Sequence, residues 1–269
     1  MAIISVDNHT AADFLKRDVH RYLAELTALE LNMPPFPRRV FADADKPSVL
    51  MLVQEYPDGV WVTVSGYNEK FLLECLDWWR SSFDKFTLAS VDERVFDVPE
   101  MKHIFELGRI RRSRSFLCTS IDRVPAVVAA AGRRTEFDKE AFERYPQEPA
   151  RHRPGLSQLF QLFVLEGHGE IFAVKEKGEI LAYLSCASEY ENVWDVDFIH
   201  VREDRRRQGL GAQLAALYAR GRLKQSQIPY YSGARSETSQ RTALKAGFLC
   251  CRELVFAEVK PIFNKENLQ

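Results

Sequence analysis

Residues 206–212, RRQGLGA, place two glycines one residue apart at the point where a helix should begin. Glycine lowers helix stability by about 1 kcal/mol relative to alanine, so this helix start carries a local cost. The first N–H groups of a helix have no intrahelical partner, and the helix dipole adds partial positive charge there. The stretch therefore predicts an anion site, with a diphosphate as its usual occupant. A helix start that is merely eased by glycine is the alternative.

Two carboxylates lie shortly before this loop, on the predicted strand 193–201. In an unbroken strand, Asp195 and Asp197 would point to the same face. Two carboxylates on one face raise each other's pKa, which favours a role as general base. Alternatively, both face water or bind a cationic substrate without proton transfer. His200 would then lie on the opposite face, where a structural role is expected.

The elements from residue 170 onward would position these groups. The predicted order is a hairpin, a strand, a helix, a strand, a helix stopped by Gly247 and a last strand. Their ranges are 170–186 with a turn at Lys177-Gly178, 193–201, 209–224, 228–233, 237–246 and 251–259. This order predicts an α/β (α+β) fold with a mixed, mostly antiparallel sheet flanked by helices.

A smaller α/β lobe is expected to come first, at residues 1–110, with the second domain at 111–269. The lobe should contain a helix capped by Thr10, a hairpin around Pro57-Asp58-Gly59, a further helix and a strand. The corresponding ranges are 10–31, 48–67, 68–83 and 86–91. Between lobe and sheet, a strand is predicted at 115–121 and mostly helical structure at 124–167.

Two motifs together resemble those of the GNAT superfamily of N-acyltransferases. The spacing V-x-x-x-x-R-x-x-G-x-G, from Val201 through Arg206 to Gly211, resembles the acyl-CoA loop of that superfamily. Ser236-Glu237-Thr238-Ser239, a helix and Gly247-Phe248 resemble its N-x-x-S, helix, G-F pattern. The resemblance covers roughly residues 115–259. Some members carry an extra α/β lobe before the catalytic one, which could be a degenerate half-copy, cover the acceptor site or mediate dimerisation.

The resemblance implies how a coenzyme A thioester would bind. Backbone N–H groups of residues 207–212 would bind the diphosphate, and the strand at 199–201 would pair with the pantetheine arm. Ser236 takes the place of an asparagine that commonly touches this arm. The implied cofactor-binding residues are Ile199, His200, Val201, Arg206, Arg207, Gln208, Gly209, Leu210, Gly211, Ala212, Ser236 and Ser239. The ribose phosphate could meet Arg205, Arg207, Arg241 or Lys245. No metal is expected.

The resemblance also implies catalytic positions. Asp195 matches the place of the base glutamate in the histone-acetylating branch of the superfamily. Many members have a tyrosine acid seven residues after the start of N-x-x-S, where this chain has Ala243. Either the thiolate leaves unassisted or another group serves. The candidates for such a group are Tyr230, Tyr231 and Cys250.

Composition excludes other classes of function. The chain of 269 residues has a formal net charge of −1, which argues against nucleic acid as a partner despite the local arginines at 111–114 and 205–207. Its five cysteines include no CxxC pair, which is typical of reduced thiols rather than disulfides or a zinc site. Without a signal peptide or a long apolar run, a cytoplasmic location and no membrane partner are expected.

The leading functional hypothesis is an N-acyltransferase that moves an acetyl or other short acyl group from acyl-CoA to a primary amine. The amine would attack directly in a ternary complex, and a small molecule is the expected acceptor. The alternative is a non-catalytic acyl-CoA-binding or sensor protein. Whether the chain forms a homodimer stays open.

Overall fold

The computed structural model describes residues 3–30, 37–56, 59–126, 133–135, 169–176 and 179–262. Within these ranges, a few side chains fall outside the description, and that of Asp197 is the one that matters for the site. The chain divides into two compact units. Residues 1–113 and 252–269 belong to the first unit, and residues 114–251 belong to the second.

The first unit alternates strands and helices. In chain order its elements are β1 (Ile4–Ser5), α1 (Asn8–Leu15), α2 (Val19–Glu30), β2 (Arg38–Ala42), β3 (Leu50–Tyr56), β4 (Gly59–Ser65), α3 (Glu69–Ser82), β5 (Phe86–Ser90), α4 (Pro99–Ile104) and β6 (Phe105–Leu107). Short 3-10 turns lie at Lys16–Asp18 and Glu93–Phe96. Strand β7 (Arg111–Leu117) leads into the second unit.

The described elements of the second unit follow the same order as those of the first unit, starting from three consecutive antiparallel strands. They are β8 (Arg133–Thr135), β9 (Gly169–Glu176), β10 (Glu179–Tyr190), β11 (Val193–Val201), α5 (Leu210–Lys224), β12 (Ile228–Ala234), α6 (Glu237–Lys245) and the start of β13 (Leu249–Pro261), which from Arg252 onward belongs to the first unit. Each unit thus has a three-stranded meander, a helix, a strand, a helix and a further strand. Short 3-10 turns lie at Ile121–Arg123 and Glu203–Arg205.

Among the described strands, each unit contains one parallel pair, and the other pairs are antiparallel. In the first unit the order is β1-β2-β3-β4-β5-β13, with β6 beside β13, and β4–β5 is parallel. In the second unit the order is β7-β12-β11-β10-β9-β8, and β11–β12 is parallel. Among the described residues, these two pairs are bridged by helices α3 and α5, as a parallel connection requires.

Both cores follow from helix periodicity. Helix α3 buries Phe71, Leu72, Cys75, Leu76 and Trp79, whose spacing places them on one face. Helix α5 buries Leu214, Tyr218 and several alanines against the strands of the second unit. The alanines allow the helix to approach the strands closely, so a large tyrosine can reach the sheet backbone.

Most predicted elements are confirmed, and the first helix is the main exception. The predicted helix 10–31 is two helices, α1 and α2, with a 3-10 turn between them. Its cap is Asp7 rather than Thr10, because the Asp7 carboxylate accepts the Thr10 backbone N–H at 2.7 Å. The strand predicted at 115–121 begins at Arg111 and ends at Leu117. Of the segment predicted as mostly helical at 124–167, only 124–126 and strand β8 lie within the described residues.

The end of β13 belongs to the first unit, whereas the sequence interpretation kept residues 111–269 together. Residues 255–259 of β13 pair antiparallel with β5. Arg252 donates to Glu25 at 2.6 Å, and both side chains are only 4% exposed. The first unit therefore depends on a strand that follows the second unit in sequence.

None of the helices in the described part of the chain has the length and hydropathy that a membrane span requires.

Removal of the Arg252 side chain tests this dependence. We expect Arg252→Met to lower the free energy of unfolding by about 3–5 kcal/mol, because it leaves the Glu25 carboxylate buried without its cation. Lys85→Met is the matched control, since Lys85 pairs with Glu258 in an exposed ion pair and should cost at most about 1 kcal/mol. Urea unfolding followed by tryptophan fluorescence measures both. Equal losses in the two variants would show that the buried pair is not needed.

Candidate active site

Helix α5 begins without a side-chain cap. Its N-cap residue is Gly209, which has a left-handed backbone with φ of 80°, and the first turn contains no acidic residue. The N–H groups of the first turn therefore keep their hydrogen-bonding capacity, together with the positive end of the helix dipole. A helix start of this kind attracts an anion from outside the chain.

The loop before α5 leaves the helix start open. Arg207 is also left-handed, with φ of 63°, so left-handed residues lie on both sides of Gln208. A Cβ atom added at Gly209 would meet no atom within 4 Å. A Cβ atom added at Gly211 would meet Ile199, Val201 and Thr242 at 3.6–3.7 Å, which is ordinary packing contact. The two glycines thus have different roles: Gly209 makes the left-handed turn, and Gly211 packs against β11.

The arginines near the loop divide into anchored and unanchored groups. Arg206 Nε donates to the carbonyl of Val201 at 3.2 Å, which ties the loop to the end of β11. Arg205 pairs with Glu176 at 3.2 Å, and Arg241 pairs with Glu237. Among the described residues, Arg207 and Lys245 form no ion pair. Of the four residues predicted to meet a ribose phosphate, these two are the ones that no described carboxylate neutralises.

Strand β12 separates from β11 after three residues. The parallel register runs from Val193↔Ile228 to Asp195↔Tyr230 and ends there. On its other edge β12 pairs with β7, from Tyr230↔Leu117 to Ala234↔Arg114, so β12 continues beyond the point where it leaves β11. On its other side β11 stays paired with β10 as far as Val201. Among the described residues, the β12-facing edge of residues 196–201 is therefore not covered by a strand.

A β-bulge at Asp197 interrupts β11. Val196 lies opposite Cys186, and Phe198 lies opposite Ser185, so Asp197 is the extra residue. Trp194 and Val196 face the core on the α5 side before the bulge. Ile199 and Val201 face that core after it. The parity of the strand changes at the bulge, as expected when two residues oppose one.

The bulge corrects two expectations about the strand faces. The strand is not unbroken, so the shared face predicted for Asp195 and Asp197 has no basis, and the Asp197 side chain lies outside the described residues. His200 was expected opposite Asp195 but lies on the same face, since the change of parity places it there. Its ring stacks with those of Tyr183 and Phe198, at 5.5 and 6.3 Å between centroids.

Asp195 is a buried carboxylate at the point where the strands separate. It is 8% exposed, and its Oδ1 accepts the backbone N–H of Ser232 at 2.8 Å. Burial raises the pKa of Asp195 to about 6, although hydrogen bonds from Ser232 and Val196 act in the opposite direction. Such a carboxyl group is ionised at neutral pH and is still more basic than an ordinary aspartate.

The two serines predicted to contact the cofactor already have partners within the chain. The Ser236 hydroxyl caps α6 by accepting the Ser239 N–H at 3.1 Å. The Ser239 hydroxyl lies 2.9 Å from the Tyr231 hydroxyl. Ala243, at the usual tyrosine position, is fully buried and offers no acid. Cys250 is exposed, whereas the Tyr231 hydroxyl lies against the first turn of α6.

The equivalent junction in the first unit is closed. Asn68 caps α3 by accepting the Phe71 N–H at 3.2 Å, and Glu69 follows in the first turn. The Asn68 amide donates in turn to the buried Asp43 at 3.1 Å. Burial alone would raise the pKa of Asp43, but hydrogen bonds from Ser48, Val49 and Asn68 lower it, so the carboxylate stays charged. An anion is therefore excluded from this helix start.

The parallel pair of the first unit is closed as well. Its register runs from Trp61↔Thr87 to Val64↔Ser90, which is one residue short of the end of β4. The Ser90 hydroxyl also donates to the Val64 carbonyl at 2.8 Å. The sequence interpretation did not identify Asn68 as the cap of α3, although Asn68 followed by Glu69 is a recognisable pattern for the start of a helix.

Comparisons with known proteins agree with this geometry. The model of the Acetyltransferase (GNAT) family matches residues 134–244. A GCN5-related N-acetyltransferase from Sphaerobacter thermophilus is 13% identical, with a TM-score of 0.65 over 98% of this chain and 96% of that one. An acetyltransferase of the GNAT family from Colwellia psychrerythraea is 14% identical, with a TM-score of 0.60 over 97% and 100% of the two chains. No curated protein shows a significant sequence match.

A third solved structure resembles both units together. It is a tandem GNAT protein from the clavulanic acid biosynthesis pathway, 11% identical, with a TM-score of 0.61 over 96% of this chain and 98% of that one. The GNAT-like fold, with its mixed and mostly antiparallel sheet, therefore extends over nearly the whole chain. The match to the GNAT family model covers residues 134–244, which include the glycine loop that carries the resemblance. This family implies an acyl-CoA cosubstrate, and no side-chain cluster suited to a metal ion occurs among the residues described.

The two glycines of the loop give a matched pair of variants. We expect Gly209→Ala to lower the free energy of unfolding by about 1–2 kcal/mol, because alanine is strained in a left-handed backbone. We expect Gly211→Ala to leave stability unchanged or raise it by up to about 1 kcal/mol, since its Cβ atom fits and alanine favours the helix. Chemical denaturation measures both values. Equal effects of the two substitutions would contradict the distinct roles of the glycines.

Proposed function

We propose that the second unit binds an acyl-CoA, with acetyl-CoA or another short thioester as the natural form, and transfers the acyl group to a primary amine. The observation that carries this proposal is the juxtaposition of the uncapped start of α5 and the uncovered edge of β11. The helix start can hold a diphosphate, and the strand edge can hold an extended arm that contains amides. The domain family supports the same assignment.

Backbone N–H groups bind the diphosphate in this proposal. Residues 207–212 present them around two left-handed residues, an arrangement that forms an anion-binding concavity. Arg207, which has no carboxylate partner among the described residues, adds positive charge beside these N–H groups. The pantetheine arm lies along residues 199–201 and hydrogen-bonds to the main chain, as an added strand would.

Asp195 takes the proton that the amine must lose. An alkylamine attacks the thioester carbonyl only in its neutral form, and near pH 7 it is mostly protonated. With a pKa of about 6, Asp195 is ionised at this pH and can accept a proton, directly or through one water molecule. A backbone N–H of β11 beyond the separation point would stabilise the oxyanion of the tetrahedral intermediate.

The leaving thiolate needs little help from the protein. A free thiol has a pKa of about 8.5, so the thiolate is a good leaving group. Because Ala243 offers no hydroxyl, the thiolate either leaves unassisted or accepts a proton from Tyr231, whose hydroxyl lies beside α6. A small-molecule amine remains the expected acceptor class.

A non-catalytic acyl-CoA binder is the second candidate. Ala243 is fully buried and offers no acid, and the Ser236 hydroxyl caps α6. Two positions that commonly act on the thioester in this family therefore have no free polar group for it. This candidate shares the binding site and differs only in turnover. Release of free thiol in a screen of primary amines separates the two candidates.

Calorimetry with acetyl-CoA tests the binding site. We expect one molecule bound per chain, since the equivalent junction of the first unit is capped and its strands are closed. Gly209→Asp should weaken binding at least tenfold, because a carboxylate at the helix start repels the diphosphate. Gly211→Ala is the control and should bind as the wild type does. No binding at millimolar acetyl-CoA would end the proposal, and two molecules per chain would contradict the closure of the first unit.

Asp195→Asn tests the base. Asparagine can still accept the Ser232 N–H, but it cannot take a proton, so we expect kcat to fall about 10²–10⁴-fold. Wild-type kcat/KM should rise with pH through about 6 as Asp195 ionises, and the variant should lack this rise. Asp197→Asn is the control on the same strand. Full turnover by Asp195→Asn, or a loss confined to Asp197→Asn, would remove the assignment.

The same variant also has a predicted effect on stability. Burial raises the pKa of Asp195 on folding, so the fold loses stability as the pH rises from about 4 to about 6 and the carboxyl group ionises. Asparagine stays neutral, so Asp195→Asn should escape this loss and be more stable than the wild type at pH 8. The difference should vanish below about pH 4, where both side chains are neutral.

A further inference from the structure

Tyr218 lies on α5 and reaches the backbone of both strands of the parallel pair. Its side chain is fully buried. Its hydroxyl donates to the carbonyl of Trp194 and lies 3.3 Å from the carbonyl of Tyr230. A phenol has one proton, so this proton is shared between two acceptors. One carbonyl belongs to β11 and the other to β12.

These two carbonyls mark the end of the parallel pair. Asp195↔Tyr230 is the last pair in the register, and Trp194 precedes it on β11. The Tyr218 hydroxyl therefore bridges the strands at the point where they separate, from the side of the sheet that packs against α5.

Asp195 holds the same point from the opposite face. The Ile228 N–H donates at 2.9 Å to the carbonyl of Asn192, the residue directly before β11. Because a strand repeats every two residues, the N–H of Ser232 also points toward β11. There it meets the Asp195 carboxylate at 2.8 Å instead of a backbone carbonyl. The Tyr218 hydroxyl and the Asp195 carboxylate thus contact the separation point from opposite faces of the sheet.

The ring of Tyr218 is held independently of its hydroxyl. It stacks on Phe248 at an interplanar angle of 7° with centroids 6.4 Å apart. It also meets the ring of Phe172 edge-on at 6.0 Å. A phenylalanine at position 218 would keep both ring contacts, so the contribution of the hydroxyl can be tested separately.

We propose that Tyr218 is a positioning residue that fixes where β11 and β12 separate and thereby holds the Asp195 carboxylate in place for proton transfer. This inference rests on the proposed function. Tyr218 does not touch the reacting atoms, because it acts from the α5 side through the Trp194 carbonyl. Loss of the hydroxyl leaves the Trp194 and Tyr230 carbonyls without their shared donor, so the two strands can move apart there and Asp195 becomes less deeply buried.

The consequence differs from that of a purely structural tyrosine. A structural hydroxyl affects stability alone, whereas a positioning hydroxyl also changes the environment of the base. The cofactor loop at residues 207–212 begins α5 and does not depend on the Tyr218 hydroxyl. Acyl-CoA affinity and catalysis should therefore respond differently to its removal.

Tyr218→Phe is the test, with three readouts. We expect the Kd for acetyl-CoA to stay within about twofold of the wild type and kcat to fall at least tenfold. We also expect the pKa of Asp195, followed by carbon-13 NMR of labelled aspartate in the free protein, to move by at least half a unit toward the ordinary value of 3.8. Phe172→Leu is the control, since it removes a ring contact but keeps the hydroxyl, and it should lower stability without changing the pKa.

The NMR readout needs no acceptor, so it separates this inference from the proposed function. An unchanged Asp195 pKa in Tyr218→Phe would overturn the inference, whether or not the wild type is active. A normal kcat with a lowered unfolding temperature would overturn it as well. A wild type that binds no acetyl-CoA would instead end the proposed function, and a moved pKa would still support the positioning role.

Discussion

Strand β12 leaves β11 after Tyr230, and the candidate site depends on this separation. It frees one edge of β11 for an extended ligand, and it places a buried carboxylate where the next backbone hydrogen bond would otherwise form. The start of α5 lies next to this free edge, since a Cβ atom at Gly211 would lie within 3.7 Å of Ile199 and Val201. In the proposed function, thioester placement and proton transfer would both depend on this one interruption in a hydrogen-bond ladder.

The two units show how the same order of elements gives an open or a closed site. In the first unit the parallel pair continues to Ser90, and the following helix is capped by Asn68. In the second unit the pair ends early, and the helix starts at a bare glycine. The difference lies in a few side chains. In the first unit the Asn68 side chain accepts a backbone N–H at the helix start, whereas no side chain accepts one at the start of α5. Fold similarity alone does not distinguish these states, because it follows the backbone.

Local signals in the sequence predicted much of this structure. The glycine loop, the strands of both hairpins and the later helices depend on turn chemistry and periodicity within a few residues, and the structure confirms them, whereas the first helix differs. The predicted turns at residues 57–58 and 177–178 lie outside the described residues. The bulge at Asp197 could not be predicted, because an extra residue in a ladder depends on the register of the partner strand. It reversed the expected face of His200. The burial of Asp195 and its contact with Ser232 depend on residues 37 positions apart, and periodicity contains no information on such contacts.

Residues 252–261 have a consequence for biosynthesis. They complete the sheet of the first unit but are translated after the whole second unit. At a rate of about 5–20 residues per second, the ribosome needs on the order of ten seconds to make the intervening chain. During this interval the β5 edge has no partner strand and Glu25 has no Arg252 beside it. The nascent protein thus exposes an unpaired sheet edge, of the kind that chaperones shield from aggregation, until its last strand emerges.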